Sequence, residues 1–244
     1  MRPADLAAGI QVALLRHFAK IEGARVLLSR VMYVLEWRLG YGPLQIAANV
    51  TLVGEGAVLS GGAARLEVEA EGVRFESLDL PRGADVRTGG SLTMSKCAST
   101  GDVITVEEGA RLAMEDTRVF RCGIGGVDCC GKLKLTRCTV EDNSYCGVLV
   151  GGEEASAELV HCVIRKNGQD GLVAERAKVT LRGGTVSGNK RDGVVASSEG
   201  VKITVSKEQP TVSTKSKRHN WETQAGGVLE GVAAEKIVNV VVGQ

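Results

Sequence analysis

The sequence predicts an all-β fold, a solenoid of about nine stacked coils built from short strands. Three observations carry that expectation. The first is a phrase that recurs: "NSYCGVLV" from Asn143, "NGQDGLV" from Asn167 and "NKRDGVV" from Asn189. Each reads Asn, three residues, Gly, then Val or Leu. The second is its spacing. Gly126-Val127, Gly147-Val148, Gly171-Leu172 and Gly193-Val194 lie 21, 24 and 22 residues apart. The third is a set of apolar columns between those marks. Leu112 and Met114 precede Thr117 and Val119; Leu133 and Leu135 precede Cys138 and Val140. Ala157 and Leu159 precede Cys162 and Ile164; Val179 and Leu181 precede Gly184 and Val186. The skipped positions are mostly polar, and such alternation marks half-buried strands.

One coil of this kind cannot bury its own apolar row. Stacked coils share a core, with backbone bonds between neighbours at roughly 4.8 Å. Equivalent residues then form ladders. Asn143, Asn167 and Asn189 are expected to stack at one corner, tolerating left-handed backbone angles and bonding to one another through their amides. Gly147, Gly171 and Gly193 are expected to supply the next tight bend. These columns resemble the single-stranded right-handed parallel β-helix of the pectin-lyase-like superfamily, over roughly residues 43–206. Handedness is what the resemblance implies. A leucine-rich repeat, the competing solenoid, needs a Leu-rich consensus with a helix in each repeat, and these coils are too rich in Gly and β-branched residues.

Taken in chain order, residues 1–22 form an expected capping helix. Leu6, Ile10, Leu14, Phe18 and Ile21 recur at helical spacing behind Asp5, a suitable N-cap. Asp5, Gln11 and the lack of a small-residue cleavage site argue against a secretory leader. Such a helix covers the open edge of the first coil. Residues 23–42 fit either a helix or a first coil. "PLQIAANVTLVGEG", residues 43–56, resembles the opening coils of β-helices, a strand running into a Gly-rich corner. The stack, residues 23–244, is interrupted near 207–222. Gly227-Val228 follows Gly193 only after 34 residues, so "SKEQPTVSTKSKRHNWET" is expected to bulge out as a mobile, basic loop.

Composition narrows the function. The net charge of +1 gives no global field for nucleic acid or membrane. No run of eighteen apolar residues suits a transmembrane helix. Seven cysteines lack regular spacing. Cys97, Cys138 and Cys162 share one column as small inward hydrophobes, and Cys122 stands where the other coils place the ladder Asn. Cys129-Cys130 lacks the spacing of a zinc pair, so no metal is expected. Cysteines used as core filler suit a reducing, intracellular compartment, with the cytoplasm the first choice.

Two functions compete. The resemblance to pectin-lyase-like enzymes implies a polysaccharide lyase, hydrolase or epimerase. Its catalytic candidates are Asp170 and Asp192, equivalent positions one coil apart, with Arg191 beside them; calcium is a cofactor only under the lyase reading. Asp102 shares that column, but Gly125 and Cys146 interrupt it. His17, His161 and His219 are not expected to stack with it. Two Trp, three Tyr and three Phe offer few platforms for stacking sugars. The favoured expectation is therefore a non-catalytic interaction module without a cofactor, binding a protein or another extended partner. Its repeats resemble the β-helix domains of F-box and Shc-binding proteins. Candidate partner residues are Lys215, Lys217, Arg218 and Trp221 in the insertion. Further candidates are a basic corner of Arg121, Arg165, Lys166, Lys190 and Arg191, and an acidic one around Glu107, Glu108, Glu153, Glu154, Glu175 and Glu199.

Overall fold

Among the described residues every strand pair is parallel, and each partner comes from a neighbouring coil. The computed structural model describes residues 17–18, 20–28, 32–34, 44–60, 65–208, 211–233 and 236–240. Its strands form a 17-stranded sheet and a 10-stranded sheet. A typical coil runs through Lys132–Thr136 and Thr139–Glu141 in the first sheet, then Val148–Gly151 in the second. The next coil repeats this with Ser156–Val160, Val163–Arg165 and Leu172–Glu175. Most of the predicted cap over residues 1–22 lies outside the described residues. Residues 23–42 take the coil option where described: Arg25–Leu28 and Met32–Val34 are strands paired with Thr51–Ser60.

The columns read from the sequence are the registers of the sheets. Leu112, Leu133, Ala157 and Val179 face one another in turn, as do Met114, Leu135, Leu159 and Leu181. All eight point inward and are buried. Burial of such rows supplies the main drive to fold, at roughly 25 cal/mol per Å² of apolar surface. Cys97, Cys138 and Cys162 lie in the core as expected, together with Cys122 and Cys129. Burial pushes the Cys122 thiol up to about 12, so it is a protonated core residue at neutral pH.

The corners correct two details. Asn143, Asn167 and Asn189 do not take left-handed angles; the residues just before them do, with φ of 55° at Asp142, 55° at Lys166 and 64° at Gly188. The asparagines instead do the bonding. Asn167 donates its backbone N–H and its Nδ2 to Asn189 Oδ1, both at 3.0 Å. Asn143 donates to Asn167 Oδ1 in the same way, at 3.2 and 3.0 Å. Cys122 N–H ends the ladder on Asn143 Oδ1 at 3.0 Å. All three amides are buried. Four residues after Asn143 and Asn167, Gly147 and Gly171 are Gly for a different reason from the one expected. A Cβ on Gly147 would lie 2.7 Å from Asn167 Nδ2 and 2.7 Å from the Gly171 carbonyl, so the packed ladder leaves no room for a side chain.

The insertion is also corrected. Val212–Thr214 pairs with Thr185–Ser187, and Trp221–Gln224 pairs with Val194–Ala196. Gly193 therefore faces Asn220, not Gly227, and Trp221 fills the inward Val position at 4% exposure. Val228 stands in another column, opposite Lys202. The true excess is small. Leu181 and Thr185 face Val205 and Val212, so the additional residues fall between 206 and 211. Polarity and Pro210 hid the second half of a coil, where Trp221 joins Ile203 and Val205 in the core.

Outward positions carry ion pairs between coils. Glu141, almost fully buried, lies 2.6 Å from both Arg118 of the preceding coil and Arg165 of the following one. Arg118 also covers the Phe120 ring at 4.0 Å. Burial alone would raise the Glu141 carboxyl, but the two guanidiniums outweigh it and hold the group below its ordinary value.

Two outcomes follow from these contacts. Asn167→Leu should lower stability by roughly 1–3 kcal/mol, the cost of orphaning buried polar partners; an unchanged denaturant midpoint would contradict the ladder. Glu141, with a folded pKa depressed below its unfolded value of about 4.3, stabilises at neutral pH and loses that effect as pH falls through the folded value. Glu141→Gln should thus be less stable than wild type at pH 7, with the gap closing below about pH 4. Parallel stability curves across that range would show that the ion pairs contribute nothing.

Candidate functional site

Beyond the Asn ladder each coil turns through a short exposed corner into the second sheet. Backbone bonds stack its residues into a surface column. Tyr145 N–H donates to the Ile124 carbonyl, Gln169 to Tyr145, Arg191 to Gln169 and Arg218 to Arg191, at 2.7 to 3.1 Å. The column runs from apolar to cationic. Ile124 is 57% and Tyr145 50% exposed, whereas the last two members are guanidiniums. Beside it, Lys166, Lys190 and Lys217 line a concavity of about 580 Å³ that also touches Asp142. Among the described residues, none of these three lysines has a carboxylate within ion-pair distance.

The candidate partner residues of the insertion separate here. Lys217 and Arg218 join this corner and are exposed. Lys215 is the left-handed residue of the bend, with φ of 58°. Trp221 is removed from the surface by its place in the core, which rules it out as an exposed anchor. In the basic corner read from sequence, Lys166, Lys190 and Arg191 belong together, but Arg165 is tied to Glu141.

One residue further along each coil lies the carboxylate column. Asp170 and Asp192 are buried and stacked as expected, Asp192 N–H donating to Asp170 Oδ1 at 2.8 Å. Arg191 lies 3.6 Å from Asp170 Oδ2. The column continues where the sequence reading did not place it. His219 N–H donates to Asp192 Oδ1 at 2.9 Å. The His219 ring Nδ1 lies 3.0 Å from Asp192 Oδ1 and 2.6 Å from Glu222 Oε2. Arg218 approaches Asp192 Oδ2 at 3.4 Å. His219 thus stacks on the Asp column, contrary to expectation, because the coil after Asp192 is a full member of the stack. Glu222 was missed entirely. Its signal was available: once Trp221 is taken as the inward residue of a strand, its neighbour must point outward beside His219.

Asp192 and Glu222 are fully buried. Burial pushes the Asp192 carboxyl up to about 6, assisted by the hydrogen bond and repulsion from Glu222. Burial would raise Glu222 too, but hydrogen bonds from Gln224, His219 and Asp192 hold it low. Two carboxylates of unequal acidity beside an imidazole can accept, hold and pass a proton.

No curated protein sequence matches the chain. Among solved structures it is similar to the A-module of the mannuronan C-5 epimerase AlgE4 of Azotobacter vinelandii, with 14% identity, 94% of this chain and 90% of that chain covered, and a TM-score of 0.53. The A-module of the AlgE6 epimerase from the same organism aligns at 14% identity over 97% and 95% of the two chains, with a TM-score of 0.46. At this identity the likeness to the AlgE4 module is one of fold. The family model described as "Right handed beta helix region" matches residues 48–214, more than half of the sequence. With that match resting on the same stacked columns that build its two sheets, the chain belongs to the right-handed β-helix family.

Proposed function

We propose that the protein is an interaction module whose exposed corner binds an extended acidic polypeptide carrying an apolar anchor. The observation that supports this reading is the surface column Ile124, Tyr145, Gln169, Arg191, Arg218 with Lys166, Lys190 and Lys217 beside it. Rigid stacking fixes these side chains one coil apart, so little backbone entropy is lost on binding. Tyr145 supplies an anchor of the kind that dominates interface energetics. The unpaired lysines attract acidic groups from a distance, an effect that salt screens over about 10 Å at 0.1 M. A peptide suits the apolar end of the column better than a uniformly charged polysaccharide does.

A second reading has one observation of its own. Asp192, His219 and Glu222 beside Asp170 form an acid–base cluster, and the AlgE4 module of the same fold comes from a mannuronan C-5 epimerase. This reading suits the corner less well, because both carboxylates of the cluster are sealed from solvent.

Fluorescence anisotropy with a labelled peptide rich in Glu and Leu separates the two. The wild type should bind, more weakly as salt rises. Lys190→Glu with Lys217→Glu, and separately Tyr145→Ala, should each weaken binding about tenfold or more. Arg182→Ala, on the first sheet, should have no effect. Equal binding by the charge-reversed variant would sink the proposal. Turnover of mannuronan or pectate that Asp192→Ala abolishes would replace it with the enzymatic reading.

A further inference from the structure

We propose that Asp192, His219 and Glu222 form a binding site for a divalent transition-metal ion, with zinc the best chemical fit. The inference is independent of the partner-binding corner. One oxygen from each carboxylate and His219 Nδ1 lie within 4.8 Å of one another. Zinc holds nitrogen and oxygen donors at about 2.0–2.2 Å, which places tetrahedral donors roughly 3.3 Å apart. The observed separations of 2.6 and 3.0 Å from Nδ1 are both shorter than this value, so the donors must spread by less than about 1 Å to admit the ion. Only small side-chain rotations are needed.

Three features distinguish the cluster from an ordinary surface ion pair. First, a single imidazole nitrogen faces two carboxylate oxygens, and one Nδ1 proton cannot satisfy both well. A cation in place of that proton serves all three donors. Second, Asp192 Oδ2 is buried and has no hydrogen-bond donor. Arg218, at 3.4 Å, is its nearest cation, and that guanidinium is about half exposed and able to turn toward water. Third, the donors are oriented from behind. His219 N–H holds Asp192 Oδ1, and Gln224 Nε2 donates to Glu222 Oε1. Such outer bonds fix ligand geometry and raise affinity.

The donor types select the ion. One imidazole and two carboxylates suit zinc or a neighbouring first-row metal. Calcium takes six to eight oxygens, more than this cluster provides. The partial exposure of His219 leaves room for water as a fourth ligand. The site lies at the last coil corner before Trp221, so an occupied site would tie the C-terminal coils to the body of the stack.

The test uses the full chain, stripped with a chelator and titrated with zinc ion alone by equilibrium dialysis and calorimetry. One zinc per chain should bind, and the thermal midpoint should rise with free zinc. Cobalt in its place should give visible absorption of a four-coordinate N,O site. His219→Ala and Glu222→Gln should lose binding. Should either fail to fold, Arg218→Ala leaves every donor in place and should bind as tightly as wild type or tighter. Cys130→Ser should bind normally, because the exposed thiol is not a ligand. No zinc on the wild type, zinc retained by a folded His219→Ala variant, or zinc lost in Cys130→Ser would each overturn the site.

Discussion

The structure depends on one constraint: no coil can satisfy itself. A single turn of about twenty residues cannot pair its backbone groups or enclose its inward side chains. Both needs are met by the next turn, in the same register, at every strand. Once Leu112 faces Leu133, Met114 must face Leu135, and Cys122 must reach Asn143. Register fixed at one point is fixed around the whole coil, because a slip of one residue would turn the inward row to solvent. The Asn ladder is the strictest expression of this. The Oδ1 atoms of Asn167 and Asn189 each take two hydrogen bonds from the coil before, and the space these side chains occupy leaves room only for Gly147 and Gly171 beside them.

That constraint also decides where function can reside. Inward positions are committed to the core, and strand backbones to their neighbours. Long outward side chains on the first sheet pair across coils, as Glu141 does with Arg118 and Arg165, and Glu158 with Lys134 and Arg182. The corner after the ladder is different. Its backbone is bonded, but its side chains at Ile124, Tyr145, Lys190 and Lys217 face water. One step further, the carboxylates are drawn inside, where their burial makes them chemically distinct from surface acids. Two adjacent columns thus present two environments, one suited to recognition and one to holding a proton or a cation.

Much of this was legible in the sequence because repetition writes the register directly. The Asn-x-x-x-Gly phrase located the ladder, and the alternating rows located both strands of the first sheet. The stacking of Asp170 on Asp192 followed from the same phrase. Legibility failed where a coil keeps the geometry but changes the residues. At the last described corner Asn220-Trp221 replaces Gly-Val, and the pattern resumes at Gly227 in a different column. The false match made a coil look like a loop, placed Trp221 on the surface, and detached His219 and Glu222 from Asp192. The local chemistry of the corners was partly legible too. Asparagine was rightly assigned there, but the left-handed angle falls on Asp142, Lys166 and Gly188, residues with no common character. Stacking, not local preference, imposes that angle.

The position of residues 211–224 is therefore the point on which the account turns, since it assembles the carboxylate cluster and completes the basic corner. Backbone amide hydrogen exchange, read residue by residue, tests it directly. Val212, Lys217, Arg218 and His219 donate to Gly184, Asn189, Arg191 and Asp192, so their amides should exchange slowly, as should those of Leu172 and Val228. Lys207 and Glu208, at the start of the additional segment, should exchange faster. Uniformly rapid exchange from 207 to 222, beside a protected Leu172, would show a mobile loop and contradict the stacked coil.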